Sequence, residues 1–593
     1  MVDGSSWTQG IGLGGLGACV VKGGEPADVF AAGYRVLGQR PALFRWSGLC
    51  GMMRLLALLE LRSMMLYGCS ILNGEARVGS GAAFAGFDPA AGVQLEPAYH
   101  SASTEDVELA AILADEAFAV YGKLSGKERG RFLREIAAGI DSAAVELVAR
   151  AHAETALPEG RLKGETARTA NQIRMFAQVV EEGSWIMARI DPALPDRTPL
   201  PRADIRSMLR PLGPVAVFGA SNFPLAFSVA GGDTASALAA GNPVIVKAHA
   251  AHPGCSELVG QIISKSVKAC GLPAGTFALL FDSGTEVGSA LVQHSKIKAV
   301  GFTGSLRGGR ALMDLAARRA EPIPCYMEMG STNPVFVLPE ALRSRGSEIA
   351  SGLFASFTLG VGQMCTKPGL VFLPRNEDGD TFVTALAAKV AQSTSATMLT
   401  PGIAGNYAAG VASRGGQPEV ETLAIGVSTS RDGCAAGIAA LLQVSGADLL
   451  GHPELAEEVF GPGTLIVRYA DGQGLVGLAA ALEGQLTAAV HGSSADLAEA
   501  GDLMDILERK AGRLIVNGFP TGVEVCHAMV HGGPFPATSD IRTTSVGSQA
   551  IFRFARPVCY QDFPQACLPD ELKNENPLGI WRTINGTMTR DAV

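Results

Sequence analysis

Short apolar runs alternate with helical patterns through the middle of the chain. The apolar runs lie within 208–220 and at 243–247, 277–281 and 299–302, and the helical patterns lie at 228–240, 257–269 and 287–294 and from 308 onward. Strands that are joined by helices usually pair in parallel, so this order predicts a parallel sheet covered by helices. A second run of the same kind spans about 333–530. The sequence therefore predicts the α/β class, and its length allows two or more domains.

The first 66 residues differ from the rest. Gly12 to Gly17 match G-x-G-x-x-G, but a dinucleotide fingerprint follows a strand, and residues 1–11 do not read as one. We therefore interpret this match as a coincidence of a glycine-rich composition. A regular pattern begins at Ile71, where the pair Asn73 and Gly74 predicts a hairpin. Helical periods follow over 104–182. We hypothesise that 1–66 is an atypical extension that arises from a misassigned start.

Charge and cysteine content exclude several classes of protein. The 48 Lys and Arg against 57 Asp and Glu give a net charge of −9, which argues against a nucleic-acid binder. The apolar stretch 48–66 is interrupted by Arg54, Glu60 and Arg62, so we expect no membrane span. The 11 cysteines include no C-x-x-C pair, so we expect no metal site. No secretory signal is evident, and these features together predict a cytoplasmic protein.

One cysteine stands among small and polar residues that suit an exposed nucleophile. Cys365 lies in Val-Gly-Gln-Met-Cys-Thr at 361–366, just before an apolar run. A lone cysteine is more often buried packing, so the interpretation depends on other motifs. These are Ser-Asn-Phe-Pro at 221–224, Val-Lys at 246–247, Phe-Thr-Gly-Ser at 302–305, Met-Glu-Met-Gly at 327–330 and Glu-Glu-Val-Phe-Gly-Pro at 457–462.

In order and spacing these motifs resemble the aldehyde dehydrogenase superfamily, over about 71–593. The resemblance implies a Rossmann-type cofactor domain at 67–325, with oligomerisation strands near 190–210, and an α/β catalytic domain at 326–530. It implies that 531–593 returns to the cofactor domain and ends in a C-terminal oligomerisation tail, so that a small β arm joins a homodimer or homotetramer. A non-catalytic protein on the same fold is the alternative, and loss of a catalytic residue would favour it.

The resemblance also assigns chemistry to three residues. Cys365 is the expected nucleophile, which forms a thiohemiacetal and then a thioester. The side-chain amide of Asn222, with the Cys365 backbone N–H, is expected to stabilise the oxyanion. Glu328 is expected to activate water for thioester hydrolysis. A coenzyme-A-acylating relative would not need that base, so Glu328 favours hydrolysis.

The resemblance further implies NAD or NADP as cofactor. Lys247 closes a predicted strand and is expected to bind the cofactor ribose, as ligands sit at the carboxyl ends of parallel strands. Gly304 and Ser305 are expected in the cofactor loop. Glu458 is expected to bind the nicotinamide ribose, and Phe460 to pack beside it.

The choice between NAD and NADP depends on the third residue after Lys247. Ala250 stands where an acidic residue often selects NAD, so a 2′-phosphate would meet no repulsion there. His249 and His252 are candidate donors, although both also suit a loop around a proline. Asp282 follows the next predicted strand, and no nearby Arg is evident. The sequence therefore favours NADP.

Longer segments resemble one group within the superfamily. The segments 218–228, 531–538 and 576–582 look like those of the α-ketoglutarate semialdehyde (2,5-dioxovalerate) dehydrogenases, which form 2-oxoglutarate. A fatty-aldehyde dehydrogenase of luminous bacteria shares much of the pattern and remains the alternative. Met329 replaces the usual Leu, and 398–432 match less well, but no catalytic residue is lost.

An acidic semialdehyde needs a cation in its binding site. We expect Arg168, Phe227 and His531 to contact the substrate, with Arg168 as a bidentate donor to the carboxylate. Arg168 and Gln172 are four residues apart on a predicted helix at 165–180 and share a face. Arg174 is expected to be structural. A solvated Arg on the helix surface is the alternative for Arg168.

Overall fold

The computed structural model describes residues 65–429, 434–470 and 472–593. The Gly12 to Gly17 match and nearly all of the predicted extension lie outside the described residues. The helices are α1 (Thr104–Tyr121), α2 (Gly126–Ser142), α3 (Ala144–Thr155), α4 (Glu159–Glu182), α5 (Gly232–Ala240), α6 (Pro253–Ala269), α7 (Glu286–Gln293), α8 (Leu306–Ala317), α9 (Pro339–Thr358), α10 (Glu377–Gln392), α11 (Pro401–Gly415), α12 (Gly446–Gly451), α13 (Gly472–Ala481), α14 (Ser494–Glu499) and α15 (Gly501–Lys510). The strands are β1 (Ser70–Leu72), β2 (Glu75–Arg77), β3 (Ala83–Asp88), β4 (Val93–His100), β5 (Arg189–Asp191), β6 (Ile205–Pro211), β7 (Val215–Phe218), β8 (Val244–Lys247), β9 (Phe277–Leu280), β10 (Ala299–Thr303), β11 (Cys325–Glu328), β12 (Val335–Val337), β13 (Leu370–Pro374), β14 (Ala396–Thr397), β15 (Glu421–Ile425), β16 (Ala436–Gly437), β17 (Ala440–Ser445), β18 (Gly463–Tyr469), β19 (Gln485–His491), β20 (Ala511–Val516), β21 (Ala555–Gln561), β22 (Arg582–Ile584) and β23 (Thr587–Thr589).

The first sheet contains the predicted alternation of strands and helices. Its strand order is β11-β10-β7-β8-β9-β1-β2, and β7 to β11 pair in parallel. The predicted hairpin is present, because β1 and β2 pair antiparallel and Asn73 adopts a positive φ in their turn. The helical region that we predicted over 104–182 forms α1 to α4. Most buried side chains of α1 pack in one apolar cluster with the first sheet, and those of α2 to α4 pack in another. The α/β prediction is confirmed.

The apolar run within 208–220 divides into two strands of different sheets. β6 and β7 are separated by a turn at Gly213, whose φ is +127°. Glycine adopts such a φ without a steric penalty, so the chain can change direction there. β7 then enters the first sheet, and β6 pairs with β5 and β21.

The second sheet has the order β15-β17-β18-β13-β12-β19-β20, and β15 alone pairs antiparallel within it. Its inner strands β13, β18 and β19 are buried on both faces, as expected for parallel strands between helices. The predicted boundary at residue 325 falls inside β11, which still belongs to the first sheet; the second sheet begins at β12.

A third sheet joins distant parts of the chain in the order β21-β6-β5-β22-β23. It contains the strands expected near 190–210 and part of the C-terminal tail. Oligomerisation through this sheet stays a prediction. Among the described helices, none combines the length and the apolar character needed to cross a membrane.

Candidate active site

The carboxyl ends of four neighbouring strands of the first sheet lie side by side. Phe218 pairs with Lys247 on one side and with Phe302 on the other, and Thr303 pairs with Glu328. This edge of a parallel sheet is where ligands bind in α/β folds. Cys365 approaches from the loop before β13 of the second sheet, so the two sheets place the expected base and nucleophile together.

The backbone before Cys365 turns sharply. Gly360, Val361 and Gly362 have φ values of 59°, 59° and 65° in succession. A positive φ at a β-branched residue costs on the order of 1–3 kcal/mol and persists only where the surroundings enforce it. Asn333 contributes by donating its side-chain amide to the carbonyl oxygens of Cys365 (2.9 Å) and Lys367 (3.1 Å). The loop therefore fixes the position of the sulfur.

Three chemically reactive side chains meet at this loop. Nε2 of His531 lies 2.8 Å from Oε1 of Glu328 and 3.6 Å from Sγ of Cys365. The hydroxyl of Ser545 donates to the other carboxylate oxygen of Glu328. Both oxygens of the expected base thus have a hydrogen-bond partner before any substrate binds.

The surroundings of this cluster lower the pKa of Glu328 and raise the pKa of Cys365. Burial raises the pKa of Glu328, but His531, Ser545 and the nearby Arg553 outweigh it, so the net pKa is lowered. An ionised carboxylate at neutral pH is what a general base requires. Burial raises the pKa of Cys365 well above its ordinary value, and the carboxylate of Glu328 adds to this.

Asn222, the expected oxyanion donor, lies beside the loop that carries Cys365. Its side-chain Nδ2 donates to the carbonyl oxygen of Gln363 (3.0 Å), which leaves the second amide hydrogen for a ligand. The backbone carbonyl oxygen of Asn222 accepts a hydrogen bond from Nη2 of Arg161 (2.6 Å). Asn222 and Cys365 line the same cavity.

A cavity of about 610 Å³ extends from Cys365 along the edge of the first sheet. Its volume is within the usual range for cofactor sites, about 300–1,000 Å³. Beside Cys365, Asn222 and His249, five more of the predicted residues line it: Glu328, Gly304, Ser305, Glu458 and Phe460. Ser305 caps α8 by accepting from the backbone N–H of Gly308, so the positive end of this helix opens on the cavity and suits a phosphate.

Lys247 and His249 also suit a dinucleotide. The ammonium of Lys247 forms no hydrogen bond or ion pair within the part of the chain that the structure describes, and burial lowers its pKa. Nδ1 of His249 accepts from the backbone N–H of Ala251 (3.1 Å), which leaves an Nε2–H to face the cavity. These donors, with the end of α8, fit a nicotinamide dinucleotide.

The expectation for His252 needs correction. His252 is fully buried, and its two ring nitrogens lie 3.1 Å from the Ser256 hydroxyl and 2.9 Å from the Ala220 carbonyl oxygen. It is therefore not free to bind a 2′-phosphate. Asp282 is also occupied, because its carboxylate accepts from the backbone N–H groups of Gly284 and Val287.

A buried lysine stabilises the loop that carries Glu458. Nζ of Lys367 donates to the carbonyl oxygens of Val459 (3.1 Å) and Gly463 (3.0 Å). Burial raises the pKa of Glu458, and the ammonium of Lys367 opposes this. Gly330 permits the close approach of Glu458, since a Cβ there would lie 2.4 Å from its Oε2.

A second cavity, of about 320 Å³, reaches Cys365 from the opposite side. Arg168 and Phe227 line it as predicted, with the Arg168 guanidinium 5.2 Å from the centre of the Phe227 ring. Arg168 forms no hydrogen bond or ion pair with any described residue, so its donors are free for a ligand. Arg174 instead pairs with Asp141 outside this cavity, in agreement with a structural role.

His531 does not lie against the substrate cavity, where the sequence analysis expected it. It is fully buried and lines neither of the two large cavities. It contacts Cys365 and Glu328 rather than the space for substrate. Sequence reasoning missed Ser545, which no local pattern marks, and Arg161. Arg161 lies seven residues before Arg168, two helical turns away, so helical spacing could have indicated that both face the second cavity.

Comparisons with known proteins show what the chain is similar to. The profile of the aldehyde dehydrogenase family matches residues 79–534. An alpha-ketoglutaric semialdehyde dehydrogenase 2 of Azospirillum brasilense is 52% identical over 524 residues, 88% of this chain and 99% of its own length. An alpha-ketoglutaric semialdehyde dehydrogenase of Acinetobacter baylyi is 47% identical over 83% of this chain and 93% of its own. The crystal structure of a Staphylococcus aureus betaine aldehyde dehydrogenase with NAD+ superposes with a TM-score of 0.72 at 19% identity, over 86% of this chain and 98% of its own.

Proposed function

Because the chain belongs to the aldehyde dehydrogenase family and is an NAD(P)-dependent aldehyde oxidoreductase, we propose that its substrate is 2,5-dioxopentanoate, which it oxidises to 2-oxoglutarate. The observation that carries this proposal is the unpaired guanidinium of Arg168 in the cavity that ends at Cys365. A guanidinium that pairs with no described residue, in the cavity beside the nucleophile, is a match for a substrate carboxylate. The names of two relatives with high identity point to the same substrate.

The reaction begins at the sulfur of Cys365. Burial keeps the Cys365 thiol protonated at rest, so it first gives its proton to water in the cavity. The thiolate then attacks the aldehyde carbon, and the carbonyl oxygen becomes an oxyanion that the Asn222 amide and the Cys365 N–H would stabilise. When bound, the nicotinamide ring supplies the hydride acceptor that turns the thiohemiacetal into a thioester. Ser305, Glu458 and the first turn of α8 would hold that group along the cavity of about 610 Å³, and Lys247 at the end of β8 would bind its ribose.

Glu328 completes the cycle. Its carboxylate takes a proton from water, the water oxygen attacks the thioester carbon, and the C–S bond breaks to release the acid and the Cys365 thiol. His531 and Ser545 each occupy one lone pair on a different oxygen of Glu328, so a lone pair on either oxygen is left to accept from the attacking water.

NADP as the preferred cofactor is part of the proposal. Ala250 places no carboxylate beside Lys247, and the neutral ring of His249 offers an Nε2–H donor to a 2′-phosphate. Titration calorimetry with each dinucleotide tests this directly. We expect tighter binding of NADP than of NAD and a selective loss for NADP in His249→Leu. Equal losses for both dinucleotides would contradict the role of His249.

A long-chain aldehyde is the second candidate substrate. Phe223, Phe227, Leu359 and Met364 give the second cavity an apolar wall that suits an alkyl chain. Steady-state kinetics with 2,5-dioxopentanoate, pentanal and decanal separates the candidates. We expect the highest kcat/KM for 2,5-dioxopentanoate, with 2-oxoglutarate formed in the absence of coenzyme A. A higher kcat/KM for decanal would overturn the proposed substrate.

Assembly and compartment remain part of the proposal. A homodimer or homotetramer through the third sheet, in the cytoplasm, follows from the family resemblance. Sedimentation of the full chain tests the assembly: a monomer at micromolar concentration would contradict it.

A further inference from the structure

The catalytic cluster is also a set of metal ligands. Glu328, Cys365 and His531 each offer one ligand atom, and the three atoms lie within 4.8 Å of one another. We propose that these three side chains bind a Zn²⁺ ion, and that its binding reversibly inhibits the enzyme. The proposal depends on the three side chains alone and not on which aldehyde is the substrate.

Two separations between the ligand atoms can be compared with those around tetrahedral zinc, and one of them already matches. With Zn–S near 2.3 Å and Zn–N near 2.0–2.1 Å, a tetrahedral angle separates the sulfur and nitrogen by about 3.5 Å. Sγ of Cys365 and Nε2 of His531 are 3.6 Å apart. Nitrogen and oxygen ligands would be about 3.3 Å apart. Nε2 and Oε1 of Glu328 are 2.8 Å apart, so the carboxylate must withdraw by about half an ångström as the ion replaces the hydrogen bond.

The ligand types select the metal. A thiolate, an imidazole and a carboxylate suit Zn²⁺ and Co²⁺, whereas Mg²⁺ and Ca²⁺ prefer oxygen ligands alone. Two of the ligands are anionic when the thiol is deprotonated, and they match the charge of the ion. Cys365 borders both large cavities, which gives the ion a path to the site and a fourth coordination position for water.

The surroundings favour reversible binding over a permanent metal site. Ser545 orients the carboxylate through its second oxygen. When Nε2 of His531 binds metal, Nδ1 must carry the proton, and this buried Nδ1 has no partner among the described residues. Missing outer-shell partners typically cost about 10- to 100-fold in metal affinity. A polar cavity of about 10 Å³ beside His531 has room for one bridging water.

Zinc at this position would remove the nucleophile and the base in a single event. The sulfur would be coordinated and unable to attack the aldehyde, and the carboxylate would be unable to accept a proton from water. A chelator would restore both, since no covalent bond to carbon forms. The enzyme would therefore be held inactive by free zinc and protected from alkylation at Cys365 in the same state.

The direct test is titration of the full chain with Co²⁺, followed by its thiolate-to-cobalt charge-transfer absorption. We expect a one-to-one endpoint, displacement by Zn²⁺ and no response to Mg²⁺. The band should vanish in Cys365→Ser and persist in Cys559→Ser and Cys567→Ser, which alter two exposed cysteines. A band that survives Cys365→Ser, or one lost in either control, would overturn the proposal. This measurement needs no substrate, so it is independent of the proposed reaction.

The ligand set is tested by variants of the other two residues. Glu328→Gln preserves shape but gives a poor ligand, and His531→Asn removes the imidazole. Each should weaken Zn²⁺ protection of Cys365 against iodoacetamide by more than about tenfold. Protection unchanged in Glu328→Gln would show binding through the thiol alone and would contradict the site. If His531→Asn fails to fold, the result for Glu328→Gln alone decides whether the proposed ligand set is correct.

Discussion

Replacement of Arg168 by Met isolates the recognition of the substrate carboxylate. Met keeps much of the length and apolar stem of Arg while it removes the charge and all five N–H donors. Arg168 makes no ion pair within the described part of the chain, so its removal leaves no carboxylate of the protein unpaired. The loss should therefore appear in substrate binding and only slightly in folding.

The magnitude follows from the lost hydrogen bonds. A hydrogen bond to a charged group contributes about 1.5–3 kcal/mol, which is about a 10- to 150-fold change in kcat/KM. Arg161 lines the same cavity and retains its charge, so the loss should lie nearer the lower bound. Pentanal has no carboxylate, and its kcat/KM should change less than about threefold.

The assay is steady-state formation of NADPH with the two aldehydes, for the parent chain and two variants. Arg174→Met is the matched control, because Arg174 lies on the same helix but pairs with Asp141 outside the cavity. It should leave the ratio of the two kcat/KM values unchanged. Equal losses for both aldehydes in Arg168→Met would refute carboxylate recognition and point to a distorted site.

Three further predictions follow from the same geometry. Glu328→Gln should slow steady-state turnover by about 10²- to 10⁴-fold while a burst of NADPH persists in stopped flow; loss of burst and steady rate together would contradict its role as the base. Burial raises the pKa of Glu458 to about 7, so the cofactor affinity measured by calorimetry should fall as the pH falls through 7 and the carboxylate is protonated. Lys367→Met removes the ammonium that opposes this rise, so the fall in affinity should move to higher pH; a flat pH profile would argue against Glu458 as the ribose acceptor. A chain that begins at Met65 should fold and be active, because the family-like pattern begins at Ile71; an insoluble product, beside a soluble full chain, would contradict this.

Much of the architecture could be predicted because it depends on local patterns. The strand at Val244–Lys247 and the turn at Asn73 follow from apolar runs and turn chemistry that act over a few residues. The expected residues at the carboxyl ends of parallel strands also meet at one edge, since topology alone brings them there. Glu328 and Asn222 reach this edge for that reason, whereas Cys365 reaches it from the loop before β13 of the second sheet.

The parts that sequence could not reveal depend on contacts between distant segments. The helix predicted from 228 begins at Gly232, because the preceding segment is held as a loop by Glu165, whose carboxylate accepts from the N–H groups of Leu225 and Ala226. Glu165 lies about 60 residues away in sequence, so no local pattern reports it. The same is true of Ser545, which reaches Glu328 across 217 residues.

The histidines show most clearly what could not be predicted from the sequence. His249 and His252 are three residues apart and equally polar, but one faces the cofactor cavity while both ring nitrogens of the other face buried partners. His531 looked like a substrate residue and lies instead between nucleophile and base. Burial and partner identity decide the role of a histidine, and both are set by tertiary packing.

The central claim is that Cys365 carries the acyl group during turnover. Glu328→Gln protein, mixed with 2,5-dioxopentanoate and NADP and quenched in acid within the burst, should accumulate this thioester. Mass spectrometry of the digested chain should then find the acyl mass on the peptide that contains Cys365. The same peptide should be unmodified when NADP is omitted. Acyl mass on another cysteine, or undiminished turnover in Cys365→Ala, would contradict the account.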